Sequence, residues 1–254
     1  MSRILKVAAL QKRVGGVIPP SVFDDLRDLG VDLACLPEYF FVPDKIRNQT
    51  DTLPHRQTIL NQLEAFSRRL VGVVVGGTLI EREGPHFYNA CHIFDCGHHV
   101  GVYRKLNPTS HERSLGIHPG EGYRIFEVRG IRLTPLICAD ALFPQSFQAL
   151  ADLQPDLIAV PTTSPFRLDD TVEAKFRRDQ EIFVAGARTA GAYLIKTCGV
   201  GLLMGHRLQG RSLICSPEEV ITRVNPRSEA LETTLIAALD LDNIKALKAH
   251  ESRP

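Results

Sequence analysis

The sequence lacks the long hydrophobic run of about 20 residues that a membrane-spanning helix needs, and its apolar stretch at residues 4–10 is too short for a signal peptide. It also lacks an excess of charge, because 30 lysines and arginines nearly balance 29 aspartates and glutamates. A chain without such an excess has no general attraction to nucleic acid or to an anionic membrane. We therefore expect a cytoplasmic protein with no nucleic-acid and no membrane partner.

Cysteine is sparse for a disulfide-stapled protein. The six cysteines are spread over 254 residues, which favours reduced thiols over the dense disulfide framework of small secreted domains. A zinc site is an alternative, because one part of the chain contains the right donor types: Cys91, Cys96, His98, His99, His111 and His118. These residues have no matching second pair at metal-ligand spacing, so we expect no metal. A Gly-x-Ser-x-Gly elbow is also absent, which argues against a Ser-His-Asp hydrolase.

What the chain does have is enough apolar residues, 44% of 254, to bury a large core, and we expect one domain over residues 1–254. Short runs rich in valine, isoleucine and leucine alternate with amphipathic stretches, which is typical of a layered α/β domain. The runs predict strands at 4–10, 33–36, 71–79, 90–94, 99–103, 125–128, 133–138, 157–161, 193–197, 212–215, 220–224 and 235–240. Helical spacing predicts helices at 21–29, 59–70, 145–153, 171–190 and 243–250, with Phe176, Ile182, Phe183 and Ala187 facing inward in the fourth of these.

Three of the predicted strands are followed by residues with reactive side chains. Glu38 follows the strand at 33–36, Lys105 follows the strand at 99–103, and Cys138 closes the strand at 133–138 just before a turn into a helix. A thiol at such a strand end is placed where a nucleophile meets its substrate. The pattern predicts that a base, a cation and a thiol converge at one edge of the fold.

The sequence around these three residues resembles that of the nitrilase superfamily of carbon-nitrogen hydrolases. The matching fragments are Leu36-Pro37-Glu38, Gly101-Val102-Tyr103-Arg104-Lys105, and Ile137-Cys138-Ala139-Asp140 with Phe143-Pro144. Weaker matches extend from residue 7 to residue 242, including Tyr88-Asn89 and Gly210-Arg211-Ser212. The resemblance implies a four-layer αββα sandwich, a nitrilase-like domain over the whole chain, a homodimer or larger homo-oligomer, and no cofactor.

It also implies a chemistry. Cys138 is the nucleophile, Glu38 the general base, and Lys105 the cation that stabilises the developing oxyanion, with the backbone N–H of Ala139 as a second donor. The family's second glutamate corresponds to Glu112, seven residues after Lys105, with Glu121 as the competing choice. The predicted activity is hydrolysis of a small linear amide or carbamoyl compound through a thioester. Nitrile hydrolysis, acyl transfer to an amine, and a silent protein that only binds a ligand or partner are the alternatives.

The chain departs from the family pattern next to the nucleophile, where Ala139 replaces a common large aromatic, and in the loop at residues 161–166. These differences leave the choice of substrate open. The residues beside the strand ends predict a pocket lined by Tyr39, Phe40, Ala139, Phe143, Ser164 and Phe166. Arg113 and Arg167 are candidates to pair with a substrate carboxylate, and a plain surface position is the alternative for both.

Overall fold

The computed structural model describes the backbone of residues 3–251 and the side chains of residues 3–246. Most of the strands lie in two sheets, one of seven strands and one of six, and a separate two-stranded ribbon stands apart from them. The strands are β1 (Ile4–Gln11), β2 (Leu33–Cys35), β3 (Val73–Val75), β4 (Leu79–Glu83), β5 (His86–Asp95), β6 (His98–Arg104), β7 (Phe126–Val128), β8 (Ile131–Pro135), β9 (Leu157–Thr162), β10 (Tyr193–Cys198), β11 (Gly201–Leu203), β12 (His206–Leu208), β13 (Leu213–Cys215), β14 (Val220–Arg223) and β15 (Thr233–Asp240).

The first sheet has the order β15-β1-β2-β3-β5-β4, with β6 on β5 as well. Strands β1, β2 and β3 run parallel, and β15 closes the sheet by pairing antiparallel with β1 along its whole length, from Ile4 opposite Asp240 to Gln11 opposite Thr233. The second sheet has the order β14-β13-β10-β9-β8-β7, with a parallel centre of β8, β9 and β10. Each parallel pair needs a crossover connection, and helices supply it.

The helices are α1 (Ser21–Asp28), α2 (Arg56–Leu70), α3 (Ser110–Ser114), α4 (Pro144–Leu153), α5 (Val172–Arg178), α6 (Ala185–Ala190) and α7 (Leu241–Glu251). Four of them, α1, α2, α4 and α6, cover the outer faces of the sheets, whereas Leu241 and Ile244 of α7 pack in the core between the sheets. In α2 the apolar residues Ile59, Leu63, Phe66 and Leu70 recur every three or four positions, so they form one buried face. That face packs with α1 on the first sheet, and α4 and α6 pack on the second.

The largest core lies between the two sheets, where their inward-facing side chains meet. This core, together with the two helix-covered outer faces, gives four layers in the order α, β, β, α. The predicted αββα sandwich is therefore confirmed. Among the described residues no helix is both long and apolar enough to cross a membrane.

Two predicted elements differ from the structure. The strand predicted at 71–79 is divided into β3 and β4, because Gly77 adopts a φ of +63° that a continuous strand does not allow. The helix predicted at 171–190 forms as α5 and α6 joined by one π-helical stretch, Asp179–Val184. Phe176 in α5 does not face inward as predicted: it is 39% exposed, and the Arg223 guanidinium lies over its ring at 3.6 Å.

Candidate active site

Four strand ends from both sheets meet at one place. Glu38 lies three residues after β2 and Lys105 directly after β6, both in the first sheet, while Cys138 follows β8 and Thr163 follows β9 in the second. The first two strands supply carboxylate and ammonium groups, and the second two supply a thiol and a hydroxyl. The structure thus brings Glu38, Lys105 and Cys138 together as the sequence predicts.

Lys105 lies between two carboxylates. Its Nζ is 2.8 Å from Glu38 Oε1 and 2.9 Å from Glu112 Oε2, and its side chain is 1% exposed. Burial alone disfavours an ammonium, but the negative charges of Glu38 and Glu112 outweigh it and raise the pKa of Lys105. Lys105 is therefore a fixed positive charge at neutral pH.

Glu112 lies at the start of the short helix α3, where it forms a capping box with Thr109. One of its oxygens accepts hydrogen bonds from the Tyr39 hydroxyl (2.6 Å) and from Asn89 Nδ2 (2.9 Å). Burial opposes its ionisation, but the Lys105 charge and the hydrogen bond from Tyr39 lower the pKa of Glu112 to about 2. The competing residue, Glu121, is exposed, so the glutamate that contacts Lys105 is Glu112.

Glu38 is held by four donors. Its Oε1 accepts from Lys105 and from Asn89 Nδ2 (3.0 Å), and its Oε2 accepts from the hydroxyl (2.6 Å) and the backbone N–H (3.2 Å) of Thr163. A buried carboxylate satisfied in this way keeps a single orientation. Sequence reasoning missed Asn89 and Thr163 as parts of the site, although Asn89 lies in a matching fragment and Thr163 follows a predicted strand.

Cys138 begins the 3-10 turn Cys138–Leu142 with a φ of +45°, a left-handed conformation that is uncommon outside glycine. Its Sγ lies 3.4 Å from the backbone carbonyl oxygen of Thr163. Burial raises the pKa of the thiol, and the Glu38 carboxylate raises it further, while Lys105 partly offsets both. The thiol is therefore protonated at neutral pH and needs a base before it can attack.

Asp140 fixes the turn that carries Cys138. It accepts hydrogen bonds from the Ile137 backbone N–H (2.9 Å), the Asn107 backbone N–H (2.7 Å) and the Tyr103 hydroxyl (2.9 Å). Burial raises the pKa of Asp140 although these donors work against the shift. The carboxylate joins the turn after β8 to the segment that follows Lys105, so the two sheets position the thiol together.

A cavity of about 190 Å³ opens beside Cys138 and includes Thr163 and Ser164 in its wall. Of the predicted pocket residues, Ser164 lines this cavity. The others lie outside its wall: Tyr39 is buried against Glu112, Phe40 packs in the core beneath α1 and α2, Ala139 is 7% exposed, and Phe143 and Phe166 are exposed on the surface.

The cationic residues of the cavity differ in part from those the sequence suggests. Arg167 lines the cavity, whereas Arg113 is exposed on α3 and does not. Lys196 and Arg211 line it as well and were not predicted; Arg211 lies inside a family-like fragment, Gly210-Arg211-Ser212, whose side-chain direction a sequence cannot show. Among the side chains that the structure describes, no group of three or more histidines, cysteines or acidic residues is arranged to hold a metal ion.

Comparison with known proteins agrees with the fold. A nitrilase from Pyrococcus abyssi is 27% identical over 221 residues, which cover 87% of this chain and 76% of the relative. An N-carbamoylputrescine amidase from Arabidopsis thaliana is 24% identical over 225 residues, covering 82% and 71%. The crystal structure of a carbon-nitrogen hydrolase from Helicobacter pylori G27 superposes with a TM-score of 0.84 at 18% identity, over 99% of this chain and 96% of the other.

A family model extends the match to nearly the whole chain. The model, described as carbon-nitrogen hydrolase, matches residues 21–249. That span includes every strand end and every charged residue of the site described above. The chain is an enzyme of the carbon-nitrogen hydrolase family and belongs to the nitrilase superfamily.

Proposed function

We propose that this enzyme is an amidase that hydrolyses a small linear amide or carbamoyl compound through a thioester on Cys138. The observation that carries the proposal is the buried network of Glu38, Lys105 and Glu112 beside a protonated thiol at the wall of a cavity. Two results of the comparisons also support an amide or carbamoyl substrate. One relative is an N-carbamoylputrescine amidase, and the matching family is described as carbon-nitrogen hydrolase.

In the first step Glu38 accepts the thiol proton, and the sulfur of Cys138 forms a bond to the carbonyl carbon of the amide. The electron pair of the C=O double bond moves to oxygen. The Lys105 ammonium and the Ala139 backbone N–H stabilise this oxyanion, an effect of about 3 kcal/mol for a well-placed donor. Glu112, Asn89 and Tyr39 hold Lys105 and Glu38 in place while the charge moves.

In the second step the C–N bond breaks as Glu38 returns the proton to the departing nitrogen. Ammonia or an amine leaves, and the acyl group remains on Cys138 as a thioester. Glu38 then takes a proton from a water molecule, whose oxygen attacks the thioester carbon. The C–S bond breaks, the thiol recovers its proton, and the carboxylic acid is released.

Mass spectrometry of the protein after incubation with simple linear amides tests the proposal. We expect an acyl adduct on Cys138 or turnover to the acid, and loss of both in Cys138→Ala. The matched control is Cys96→Ala, since Cys96 is the other of the six cysteines that is partly exposed, and it should retain full activity. An adduct on a different cysteine, or activity that survives in Cys138→Ala, would contradict the proposal. The same assay with the matching nitriles separates amidase from nitrilase activity.

A further inference from the structure

The cavity beside Cys138 carries more positive than negative charge. Four cationic side chains line it, Arg167, Arg178, Lys196 and Arg211, against one acidic side chain, Asp170. Arg167 is exposed and Arg178 is partly exposed, so the cost of lost hydration falls on the two buried cations, Lys196 and Arg211, unless an anion compensates them. The balance therefore points to a negatively charged group that enters the cavity during function.

Two of these cations are already compensated. Arg178 forms an ion pair with Asp170, and Lys196 Nζ lies 3.1 Å from Asp179 Oδ1. Asp179 is also shared, since the Arg223 guanidinium is 3.0 Å from its other oxygen. The Asp179 carboxylate thus pairs with two cations, and it has no excess negative charge to compensate a third.

Arg211 is different. It is 9% exposed, and its Nε and Nη1 atoms have no hydrogen-bond partner. Within the described part of the chain it forms no ion pair, although its charge, after that of Arg178, helps to lower the pKa of Asp170. A buried guanidinium normally has its donors satisfied, so this side chain is prepared for a partner that binds in the cavity.

The backbone around Arg211 is well anchored, which fixes the position from which its side chain extends. The Gly210 backbone N–H donates to the Glu229 carbonyl oxygen at 2.6 Å. On the other side, the Ser212 hydroxyl donates to Gln11 Oε1 at 2.9 Å. Anchors on both neighbours hold Arg211 at the cavity wall without using its own donors.

We propose that the substrate is a small amide that carries a carboxylate at the end opposite to the amide, and that Arg211 binds this carboxylate. The inference rests on the proposed amidase function and names its substrate class. The guanidinium fork matches the two oxygens of a carboxylate, and a cavity of about 190 Å³ accepts a short chain between the two ends. Monoamides of dicarboxylic acids and carbamoyl derivatives of amino acids share this chemistry.

Substrate comparison with the wild-type enzyme is the first test. Succinamate and N-carbamoyl-β-alanine represent the two sources of the carboxylate, 4-oxopentanamide is the neutral counterpart of succinamate, and 4-aminobutanamide bears an ammonium. We expect kcat/KM for at least one carboxylate substrate to exceed that for 4-oxopentanamide by about 100-fold, with 4-aminobutanamide the poorest. Equal kcat/KM for the carboxylate and neutral compounds would overturn the inference and leave the amidase function intact.

Variants of Arg211 are the second test. Arg211→Met should reduce the ratio of carboxylate to neutral kcat/KM by about 100-fold, and Arg211→Lys should restore only part of it because an ammonium lacks the planar fork. The matched control is Arg68→Met, an exposed arginine on α2 that pairs with Glu64, and its ratio should equal that of the wild type. An unchanged ratio in Arg211→Met would overturn the assignment of the carboxylate to this residue.

Calorimetric measurement of succinate binding tests the carboxylate site independently of the amidase function. Succinate carries the carboxylate but no amide, so it reports on the cavity without chemistry. Binding that is lost in Arg211→Met supports the carboxylate site even if no amide is hydrolysed, in which case only the amidase proposal fails. Absence of succinate binding to the wild type, together with no preference for the carboxylate substrates, would overturn the inference.

Discussion

At the scale of single residues, Glu38 has two opposing effects on Cys138. Burial raises the pKa of the thiol, and the negative charge of Glu38 raises it further, so the sulfur is protonated at rest. In the proposed mechanism the same carboxylate receives that proton when the substrate is in place. The resting enzyme therefore protects its thiol from adventitious reagents while remaining ready for an amide.

This dual role predicts that turnover and chemical labelling respond in opposite directions to Glu38→Gln. Turnover should fall by at least about 100-fold, because a general base is lost. Alkylation of Cys138 by iodoacetamide at pH 7 should become faster, because Lys105 then stabilises the thiolate without competition from a carboxylate at position 38. Labelling followed by peptide mass spectrometry measures the second effect. Glu121→Gln, which removes an exposed carboxylate, should change neither quantity, and slower alkylation in Glu38→Gln would contradict the prediction.

Glu112 predicts an acid-dependent contribution to stability. Its pKa is about 2 in the folded protein, below the usual value of about 4.3 in an unfolded chain. A lowered folded pKa gives stability that is fully present above about pH 5 and is lost as the pH falls towards 2, with a magnitude of the order of 3 kcal/mol.

Urea unfolding of wild type and Glu112→Gln at pH 6 and at pH 3 measures this term. The difference in free energy of unfolding between the two proteins should be largest at pH 6 and should shrink at pH 3, because at pH 3 the carboxyl group of the unfolded wild-type chain is protonated while that of the folded protein is still mostly ionised. The pH dependence of Glu121→Gln should follow that of the wild type. A constant difference at both pH values would show that Glu112 does not titrate with Lys105 as the structure indicates.

How far the sequence predicts the site depends on what each residue contacts. Positions beside strand ends and family-like sequence motifs predict four residues of the site: Glu38, Lys105, Cys138 and Glu112. Asn89 and Thr163 required the structure, because their contacts join segments far apart in the chain: the Thr163 hydroxyl reaches a carboxylate 125 residues away. Arg211 required it because a sequence does not show that this side chain lines the cavity. Tyr39 shows the converse case, since a residue next to Glu38 turns towards Glu112 and away from the cavity.

At the scale of elements, the turn between β3 and β4 holds the segment that carries Glu38. Gly77 adopts a φ of +63°, and a Cβ atom added there would lie 2.2 Å from the carbonyl oxygen of Pro37. That approach is far closer than van der Waals contact permits. The backbone of Gly77 and the backbone before Glu38 are thus fitted to one another.

Gly77→Ala should therefore destabilise the protein by about 3 kcal/mol and also lower turnover, because Pro37 must move and Glu38 moves with it. Gly84→Ala is the matched control: its φ is +56°, but nothing lies within 4 Å of the added atom, so it should cost about 1 kcal/mol from backbone strain alone. Thermal unfolding and steady-state assays compare the two. Equal costs, with activity unchanged in both, would contradict the prediction.

The elements themselves were largely predictable, since runs of β-branched residues and the apolar spacing of α2 are local signals. The exceptions have physical causes. The β11–β12 ribbon was not predicted, because its strands have only three residues each and no alternating pattern of that length stands out. The π-helical stretch before α6 begins at Asp179, whose ion pairs with Lys196 and Arg223 no local pattern reveals.

At the scale of the whole molecule, we expect the enzyme to form a homodimer, as the family resemblance implies. Apolar side chains are exposed near the cavity, among them Leu142 at 59%, Phe143 at 47% and Leu168 at 94%. Exposed apolar groups of this size favour association. Sedimentation velocity at micromolar concentration should give a species of at least twice the chain mass of 28.2 kDa. A single species at the mass of one chain would contradict this expectation.

The pairing of β1 with β15 has a consequence for biosynthesis. Strand β1 takes its outer neighbour from residues 233–240, so this edge of β1 has no partner while the intervening chain leaves the ribosome. An open edge of this kind is a site for misassociation with other chains. Because that edge closes last, a nascent chain arrested before Thr233 would carry Glu38, Lys105 and Cys138 and still display an unpaired strand to the cell's chaperones and proteases.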